Sequence, residues 1–376
     1  MIRLVYRQLR LDPLRTVLTA TALAAVVAVI LVLEGFYAGL LVQLRNTVLD
    51  RNADLIVTQA GVANMTAARS ILPQFARRDV EAVEGVATAH PLTGISVIYE
   101  QANRRTPIFL LVYDSGGGPK ELMSGSAVTE PRDIVVDRSL AAKYALKLGD
   151  PFIVSDFEFR ISGFTENSSA FFTPFGFARY DDLIDFYFES DIAADISTFP
   201  LLSFLLVELT PGANRDAVAA DIEAAVPDGD VFVPEKLATE DETLGRVLFG
   251  PIMLLMIGVG YVIGALVTGI IMFAAVNGRR HDFGVLKALG FSQQFLSMSV
   301  VIEALILMLF AIPLGVVLAD LIATGVENAA PLYLVLATEP VPIMRTAIAC
   351  LLFAAMGALL PVRLIRRVDP SLAFRS

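Results

Sequence analysis

A run of 30 residues without Asp, Glu, Lys, Arg or His, residues 247–276, constrains the fold more than any other feature of this sequence. As an α-helix it would be about 45 Å long at 1.5 Å per residue. The hydrocarbon core of a bilayer is only ~30 Å thick, so the segment is predicted to cross a membrane and to tilt or project beyond it. The composition agrees, since 55% of the residues are hydrophobic and 18% are charged.

Three further apolar runs have a similar length. Residues 17–42 are interrupted only by Glu34, residues 295–319 only by Glu303, and residues 346–362 extend back to Val341 across Arg345. Buried helices of a soluble protein are the alternative, but runs this long are uncommon there. We therefore predict four transmembrane helices, of which the first is an uncleaved signal anchor because no small-residue cleavage site follows it.

Basic residues near the ends of these helices predict the orientation. They precede the first helix, lie between the second and third, and follow the fourth: Arg3, Arg7, Arg10, Arg15, Arg279, Arg280, Lys287, Arg363, Arg366, Arg367 and Arg375. The loop between the third and fourth helices instead carries Asp320, Glu327 and Glu339. Both termini are therefore expected in the cytoplasm.

The predicted fold class is a membrane protein of four α-helices with a large extracytoplasmic α+β domain inserted between the first and second helices. The predicted segments are a cytoplasmic N-terminal segment (1–15), transmembrane helix 1 (16–42), the extracytoplasmic domain (43–245), transmembrane helix 2 (246–277), a cytoplasmic loop (278–294), transmembrane helix 3 (295–319), an outer loop (320–340), transmembrane helix 4 (341–362) and a cytoplasmic tail (363–376).

The inserted domain holds the acidity of the chain. Residues 36–245 contain 31 acidic and 16 basic side chains, whereas the remaining 166 residues contain 8 and 13. Such an acidic surface argues against nucleic acid as a partner, because phosphate binding needs clustered basic side chains. The single cysteine, Cys350, lies in a predicted helix and excludes an intramolecular disulfide and a cysteine metal cluster.

Within this domain the pattern predicts alternating strands and helices. Residues 53–58, 95–100 and 106–114 are strand-like, and residues 77–86 form a short helix closing on Gly85. Residues 132–164 predict a strand, a helix and a hairpin. Residues 201–235 predict a βαβ-like unit with a right-handed connection, whose helix is opened by Thr210 and Pro211.

Little in the domain predicts chemistry. His90 is more typical of a surface or packing residue than of a ligand. The glycines at 116–118 lack the spacing of a phosphate-binding loop. The phenylalanine-rich residues 171–188 have two interpretations: they fill a core, or they present an apolar surface to a lipid-like cargo or a partner.

Three motifs carry a resemblance to a known family. "YRQLRLDPLRTVLT", "NGRRHDFGVLKALGFSQQFL" and "PVRLIRRVDPSLAFR" resemble, in order and spacing, the permeases of the MacB, FtsX and LolC type of ABC transporter. The matching loop residues are Arg279, Arg280, Asp282, Gly284, Leu286, Lys287, Ala288, Leu289 and Gly290, with Asp282 where the family usually has Glu. The length is most similar to the DevC and HrtB branch.

The resemblance implies a non-catalytic permease that binds no cofactor itself, paired with a similar permease as a homodimer or heterodimer. Two copies of a cytoplasmic ABC ATPase would bind ATP and Mg. Because the sequence begins about fifteen residues before the first helix, we expect this ATPase to be a separate polypeptide. A periplasmic adaptor and membrane lipid are further expected partners. The resemblance also implies a location in a bacterial cytoplasmic (inner) membrane.

Three functions compete at this point. The first is export or extraction of an apolar or amphiphilic substrate, such as a lipid, lipoprotein, haem, drug or peptide, driven by motion transmitted to the extracytoplasmic domain. The second is a mechanotransmitter that activates an extracytoplasmic cell-wall hydrolase without moving cargo. The third is a membrane-anchored enzyme.

Glu34, Tyr37 and Glu303 are predicted to mark a functional surface, because an ionisable group costs on the order of 2.5 to 3.5 kcal/mol within a membrane. Two simpler interpretations remain. Glu34 lies near the outer interface and would reach lipid headgroups there. Glu303 lies deeper and would only pack against a neighbouring helix.

Residues 279–290 are predicted to be the coupling element that docks into the ATPase. Asn277 and Gly278 interrupt the preceding helix, and Gly290 ends the short helix that follows. Phe283, Leu286 and Leu289 recur at intervals of three and form an apolar stripe suited to a partner's groove. Arg279, Arg280 and Lys287 flank the stripe, where they either pair with acidic residues of the ATPase or lie at lipid headgroups.

Overall fold

The computed structural model describes residues 13–190, 202–278 and 280–366, without the side chains of residues 280–282 and 359–366. It divides the chain into two compact units. The membrane unit consists of Met1–Ala38, Gly250–Val326 and Val335–Ser376, and the sheet unit of Gly39–Phe249 and Glu327–Leu334. Residues 1–12 and 367–376, from the predicted cytoplasmic termini, lie outside the described residues.

Helices and strands follow one another in an order that separates the two units. In chain order they are α1 (Pro13–Leu49), β1 (Leu55–Gln59), α2 (Ala76–Glu81), β2 (Val86–Gln101), β3 (Arg104–Tyr113), β4 (Leu122–Gly125), β5 (Asp133–Asp137), α3 (Arg138–Tyr144), β6 (Pro151–Val154), β7 (Phe157–Thr165), β8 (Ser169–Ala170), β9 (Thr173–Arg179), α4 (Leu183–Glu189), β10 (Phe204–Leu209), α5 (Arg215–Ala225), β11 (Gly229–Phe232), α6 (Pro234–Asn277), α7 (Arg280–Ala288), α8 (Gln293–Ala329) and α9 (Pro340–Arg366).

Four helices, α1, α6, α8 and α9, are long and apolar enough to cross a membrane, which confirms the predicted fold class. All four extend beyond their predicted bounds. Helix α6 begins at Pro234 rather than at residue 246, and α9 continues to Arg366. Helix α1 continues to Leu49 and α8 to Ala329, so the loop before α9 contains only residues 330–339 rather than 320–340. The prediction followed hydrophobicity, but a helix continues past the hydrocarbon core, where charged side chains are solvated.

The membrane unit has one buried core to which all four long helices contribute. It includes Leu31 of α1, Met272 of α6, Leu307 of α8 and Ala354 of α9. The opposite faces of these helices are also apolar, as Leu266 of α6 shows by its exposure. Apolar residues on both faces are expected where the surrounding solvent is lipid.

The sheet unit contains a closed ring of six strands. Strands β2, β3, β9, β5, β7 and β6 pair in that order, and β6 returns to β2 through Tyr99 opposite Val154. Alternate side chains point inward and fill the ring, among them Phe152, Phe157 and Phe159. Each of these six strands therefore has a partner on both sides over part of its length.

The first part of β2 carries a second layer. Strands β10, β1 and β11 continue the sheet from β2, and helices α2 and α5 cover one face of them. Val80 of α2 and Ile222 of α5 are buried there against Leu55 and Val57 of β1. The predicted strands in this region are confirmed.

In the predicted βαβ unit, a third strand lies between the two strands that the helix connects. Strands β10 and β11 are both antiparallel to β1, which lies between them, so they are parallel to each other and one strand apart. Helix α5 connects them across the inserted strand. Local sequence spacing does not reveal this inserted strand, because β1 comes about 150 residues earlier in the chain.

The predicted start of α5 at Thr210 and Pro211 was wrong. The N-cap is Asn214, whose side chain accepts hydrogen bonds from the backbone N–H groups of Asp216 and Ala217. Thr210 lies in the preceding turn, where its hydroxyl donates to the carbonyl of Gly85 at 3.2 Å. Gly212 adopts a φ of +89°, which the turn requires and a helix start does not.

Replacing the observed cap and the predicted cap should therefore have unequal effects. Asn214→Ala is expected to lower the free energy of unfolding by about 1 kcal/mol, because two N–H groups of α5 lose their acceptor. Thr210→Ala is the matched control and should cost less than about half as much. Chemical denaturation followed by the far-UV signal measures both, and equal losses would contradict the assignment of Asn214.

The phenylalanines of residues 171–188 differ in their burial. Phe175, Phe177 and Phe186 are buried in the sheet unit, which confirms the core interpretation for these positions. Phe188 is 72% exposed. Phe171 and Phe172 form a turn whose contacts are described below.

Candidate functional site

A buried cluster of polar side chains lies in the membrane unit around Glu34. The Glu34 side chain is 0% exposed and forms a salt bridge with Arg345 of α9, whose side chain is 59% exposed. Arg345 Nη2 donates to Oε2 at 2.7 Å, and Nε lies 3.1 Å from Oε1 and 3.2 Å from Oε2. Such a two-pronged contact is the strongest geometry available to an arginine and a carboxylate.

Helix α6 completes the cluster. The hydroxyl of Tyr261 donates to Glu34 Oε1 at 2.5 Å and lies 3.3 Å from Thr346 Oγ1. Three membrane helices thus meet at one carboxylate. An isolated charge in this environment would be costly, whereas a paired and hydrogen-bonded one is tolerated and fixes how the helices pack.

The loop before α9 lies directly against α1 beside this cluster. The backbone N–H of Leu336 donates to the carbonyl of Gly35 at 3.0 Å. A Cβ atom on Gly35 would lie 2.6 Å from the backbone nitrogen of Ala337, so only glycine allows this approach. The close contact holds the beginning of α9, and with it Arg345, next to Glu34.

The sequence identified Glu34 but not its partner. Its interpretation as a headgroup contact is wrong, because the side chain is fully buried and paired. Arg345 was noted only as an interruption of the fourth apolar run. One acid and one base that each interrupt a predicted transmembrane helix are a usable signal, since opposite charges within a membrane tend to pair.

The contacts of Tyr37 differ from those of Glu34. Tyr37 follows Glu34 by three residues on α1, roughly 4.5 Å along the helix. Its hydroxyl lies beside Gly250, 3.3 Å from where a Cβ on that glycine would be. Glu303 is buried on α8. A shared functional surface of Glu34, Tyr37 and Glu303 stays a prediction.

The predicted coupling element contains helix α7. Gly290 ends it, as predicted: with a φ of +88°, its N–H donates to the carbonyl of Lys287, and the N–H of Phe291 donates to that of Leu286. The preceding break also agrees, since α6 ends at Asn277. Arg279 and the side chains of Arg280 and Asp282 lie outside the described residues.

The predicted apolar stripe of Phe283, Leu286 and Leu289 is not a single exposed surface. Phe283 is 3% exposed and belongs to the core of the membrane unit, and Leu286 packs against the same core. Leu289 is 71% exposed. The interval of three predicts one face that contacts a partner. In the structure, Phe283 and Leu286 pack against the protein's own core instead.

The described residues do not contain a group of three or more His, Cys, Asp or Glu side chains able to hold a metal ion. Cys350 is buried in α9. His90 hydrogen-bonds with Ser115 at 2.9 Å through Nδ1, as expected for a packing residue. The candidate sites are therefore the Glu34 cluster and the exposed end of α7.

Four membrane helices with a large α+β domain between the first and second define a class of membrane permease with an extracytoplasmic domain. Residues 16–225 match the MacB-like periplasmic core domain, and residues 254–370 match the FtsX-like permease C-terminal family. The chain belongs to the ABC transporter permeases of the MacB/FtsX type.

Known relatives agree with this membership. An uncharacterized ABC transporter permease of Mycobacterium tuberculosis (strain H37Rv) is 25% identical over 365 residues, covering 96% of this chain and 95% of the relative. A second permease of that strain is 23% identical over the same length.

Two solved domains are similar to part of this chain. The periplasmic region of MacB from Actinobacillus actinomycetemcomitans matches with a TM-score of 0.37 and 14% identity, covering 51% of this chain and 94% of that one. The extracellular domain of the transporter YknZ from Gram-positive bacteria matches with a TM-score of 0.36 and 12% identity, covering 48% and 100%.

The salt bridge predicts an asymmetric response to mutation. Arg345→Gln leaves a fully buried carboxylate without its counter-charge and should cost about 3 to 5 kcal/mol. Glu34→Gln leaves a half-exposed guanidinium and should cost less. The double variant removes both charges, so its Tm in the same detergent should exceed that of Arg345→Gln alone. A double variant with the summed loss of the two single variants would contradict this coupling.

Proposed function

We propose that this chain is the membrane subunit of an ABC transporter in which a separate cytoplasmic ATPase binds at α7. Its motion would pass along the long helices to the extracytoplasmic domain and drive export or extraction of an apolar or amphiphilic molecule. The chain would work as a pair, with a copy of itself or with a similar permease, and with two ATPase copies. It would itself be non-catalytic.

One observation carries this proposal. One side of α7 packs into the buried core of the membrane unit, whereas the end of α7 is apolar and exposed. Phe283 is buried in the same cluster as residues of the four long helices. Leu289 is exposed, with Val285 and Phe291 exposed nearby. A partner that moves α7 must therefore also move or strain the packed helices, because a close-packed core transmits displacement.

The chain also ties α1 to the end of α6 just before α7. Arg15 Nη2 donates to the carbonyl of Ala274 at 3.1 Å and also to that of Ala275. These carbonyls belong to the last turn of α6, where intrahelical donors are missing. The positive charges around this end support a cytoplasmic location for α7.

The exposed end of α7 provides the test. Leu289→Ala is expected to weaken association with the ATPase about tenfold, which corresponds to ~1.4 kcal/mol, because it removes an apolar anchor from the interface. Co-purification and titration with the purified ATPase in detergent or nanodiscs measure this loss. Membrane insertion and Tm should stay unchanged.

Two variants make the result specific. Leu266→Ala is the matched control, since Leu266 is also exposed but lies within the long apolar part of α6, and it should leave ATPase binding unchanged. Phe283→Ala should instead lower stability by about 3 to 5 kcal/mol because it opens a cavity in the core. Normal ATPase affinity in Leu289→Ala would refute docking at this position.

A further inference from the structure

We infer that the turn formed by Phe171 and Phe172 is the contact through which movement of α6 reaches the closed ring of strands. This inference rests on the proposed function, because it names the residues that would carry the motion into the extracytoplasmic domain. All residues concerned belong to the sheet unit.

The turn has an unusual sequence for its geometry. Ala170 of β8 is paired with Thr173 of β9, so Phe171 and Phe172 are the only residues of a two-residue hairpin loop. Both have positive φ, +49° and +58°. Such turns favour Asn-Gly, because a side chain with a Cβ atom is strained in this region and a bulky one more so. If the turn served only to reverse the chain, Asn-Gly would do so with less strain than two phenylalanines.

Both rings contact other elements. Phe171 and Phe172 lie 5.6 and 5.7 Å, centroid to centroid, from Phe249 of α6. Phe172 also lies 5.6 Å from Tyr333, in the loop between α8 and α9. These distances are typical of attractive aromatic pairs. The strained backbone therefore places the two rings against the helix and the loop at once.

Helix α1 also contacts the hairpin of β8 and β9 and the loop before α9. The side-chain amide of Gln43 donates to Ser169 Oγ at 3.0 Å and to the carbonyl of Leu332 at 3.1 Å. A Cβ atom on Gly39 would lie 1.9 Å from the carbonyl oxygen of Leu334, so α1 and the loop touch backbone to backbone. Thus α1, α6 and the 330–334 loop all meet the hairpin of β8 and β9.

The hairpin leads directly into the ring of strands. Strand β9 pairs with β3 on one side and with β5 on the other. Phe175 and Phe177 of β9 are buried, so the strand has little freedom to slide independently. A displacement of the turn by α6 must therefore be followed by the ring or be absorbed by breaking its pairing.

The turn allows a variant that removes the rings but keeps the backbone. Phe171→Asn with Phe172→Gly installs the residues that this turn type favours, so the fold should be retained and its Tm unchanged or higher. The full permease, assembled with its ATPase in nanodiscs, is spin-labelled at two exposed positions, Ser124→Cys and Glu240→Cys, on β4 and α6. The native Cys350 is buried and should not react.

The expected result is a distance distribution between the labels that changes on ATP binding in the otherwise unaltered protein and no longer changes in the Asn-Gly variant. ATP hydrolysis itself should persist. Phe171→Tyr with Phe172→Tyr keeps the rings and should retain the change, and Phe188→Ala, an exposed phenylalanine of the same segment, should also retain it.

Two outcomes are distinguishable. If the Asn-Gly variant is folded, binds the ATPase and shows the same ATP-dependent change as the unaltered protein, the turn is not the contact and the proposed function stands. If the unaltered protein neither binds the ATPase nor responds to ATP, the proposed function itself fails.

Discussion

The hydrocarbon core of the membrane is the constraint on which the rest of this structure depends. Backbone polar groups have no water to bond with there, so the chain must cross as helices. Helix α6 has 44 residues and is about 66 Å long, more than twice what crossing requires. The helix begins next to strand β11, contains Pro251, and ends next to α7.

The same constraint explains where the polar side chains lie. Glu34 is tolerated because Arg345 and Tyr261 occupy both of its oxygens, and these three residues come from three different helices. The cost of separating them favours one arrangement of α1, α6 and α9 over others. Gly35 adds to this by admitting the backbone of the loop before α9. The specific packing of these helices therefore depends on the Glu34–Arg345 ion pair and on the glycine at position 35.

Hydrophobic length and alternation are strong local signals, and they predicted the four long helices, the inserted domain and most of its strands. The closed ring of strands was not predictable in this way, because β6 meets β2 through residues more than fifty positions apart. The start of α5 was misplaced since Thr210 and Asn214 are both acceptable caps and only the turn at Gly212 decides between them. Local patterns do not contain these choices.

The candidate sites show the same division. Glu34 was found because an acid in an apolar run is conspicuous, but its pairing with Arg345 needed the packing of α1 against α9. The stripe on α7 was found as a pattern, yet only the structure separates the buried Phe283 from the exposed Leu289. Phe171 and Phe172 were counted as aromatic residues, whereas their meaning lies in a backbone conformation that composition does not reveal.

Site-specific photo-crosslinking tests the central claim, that α7 is where the ATPase binds, most directly. A photoreactive amino acid replaces Leu289 in the full chain, which is co-expressed with its ATPase in intact membranes. A separate control variant carries the photoreactive residue at position 266, which is also exposed but lies within the long apolar part of α6. The predicted result is a crosslink to the ATPase from position 289 and none from position 266. An ATPase that co-purifies with the permease but gives no crosslink from position 289 would contradict the claim.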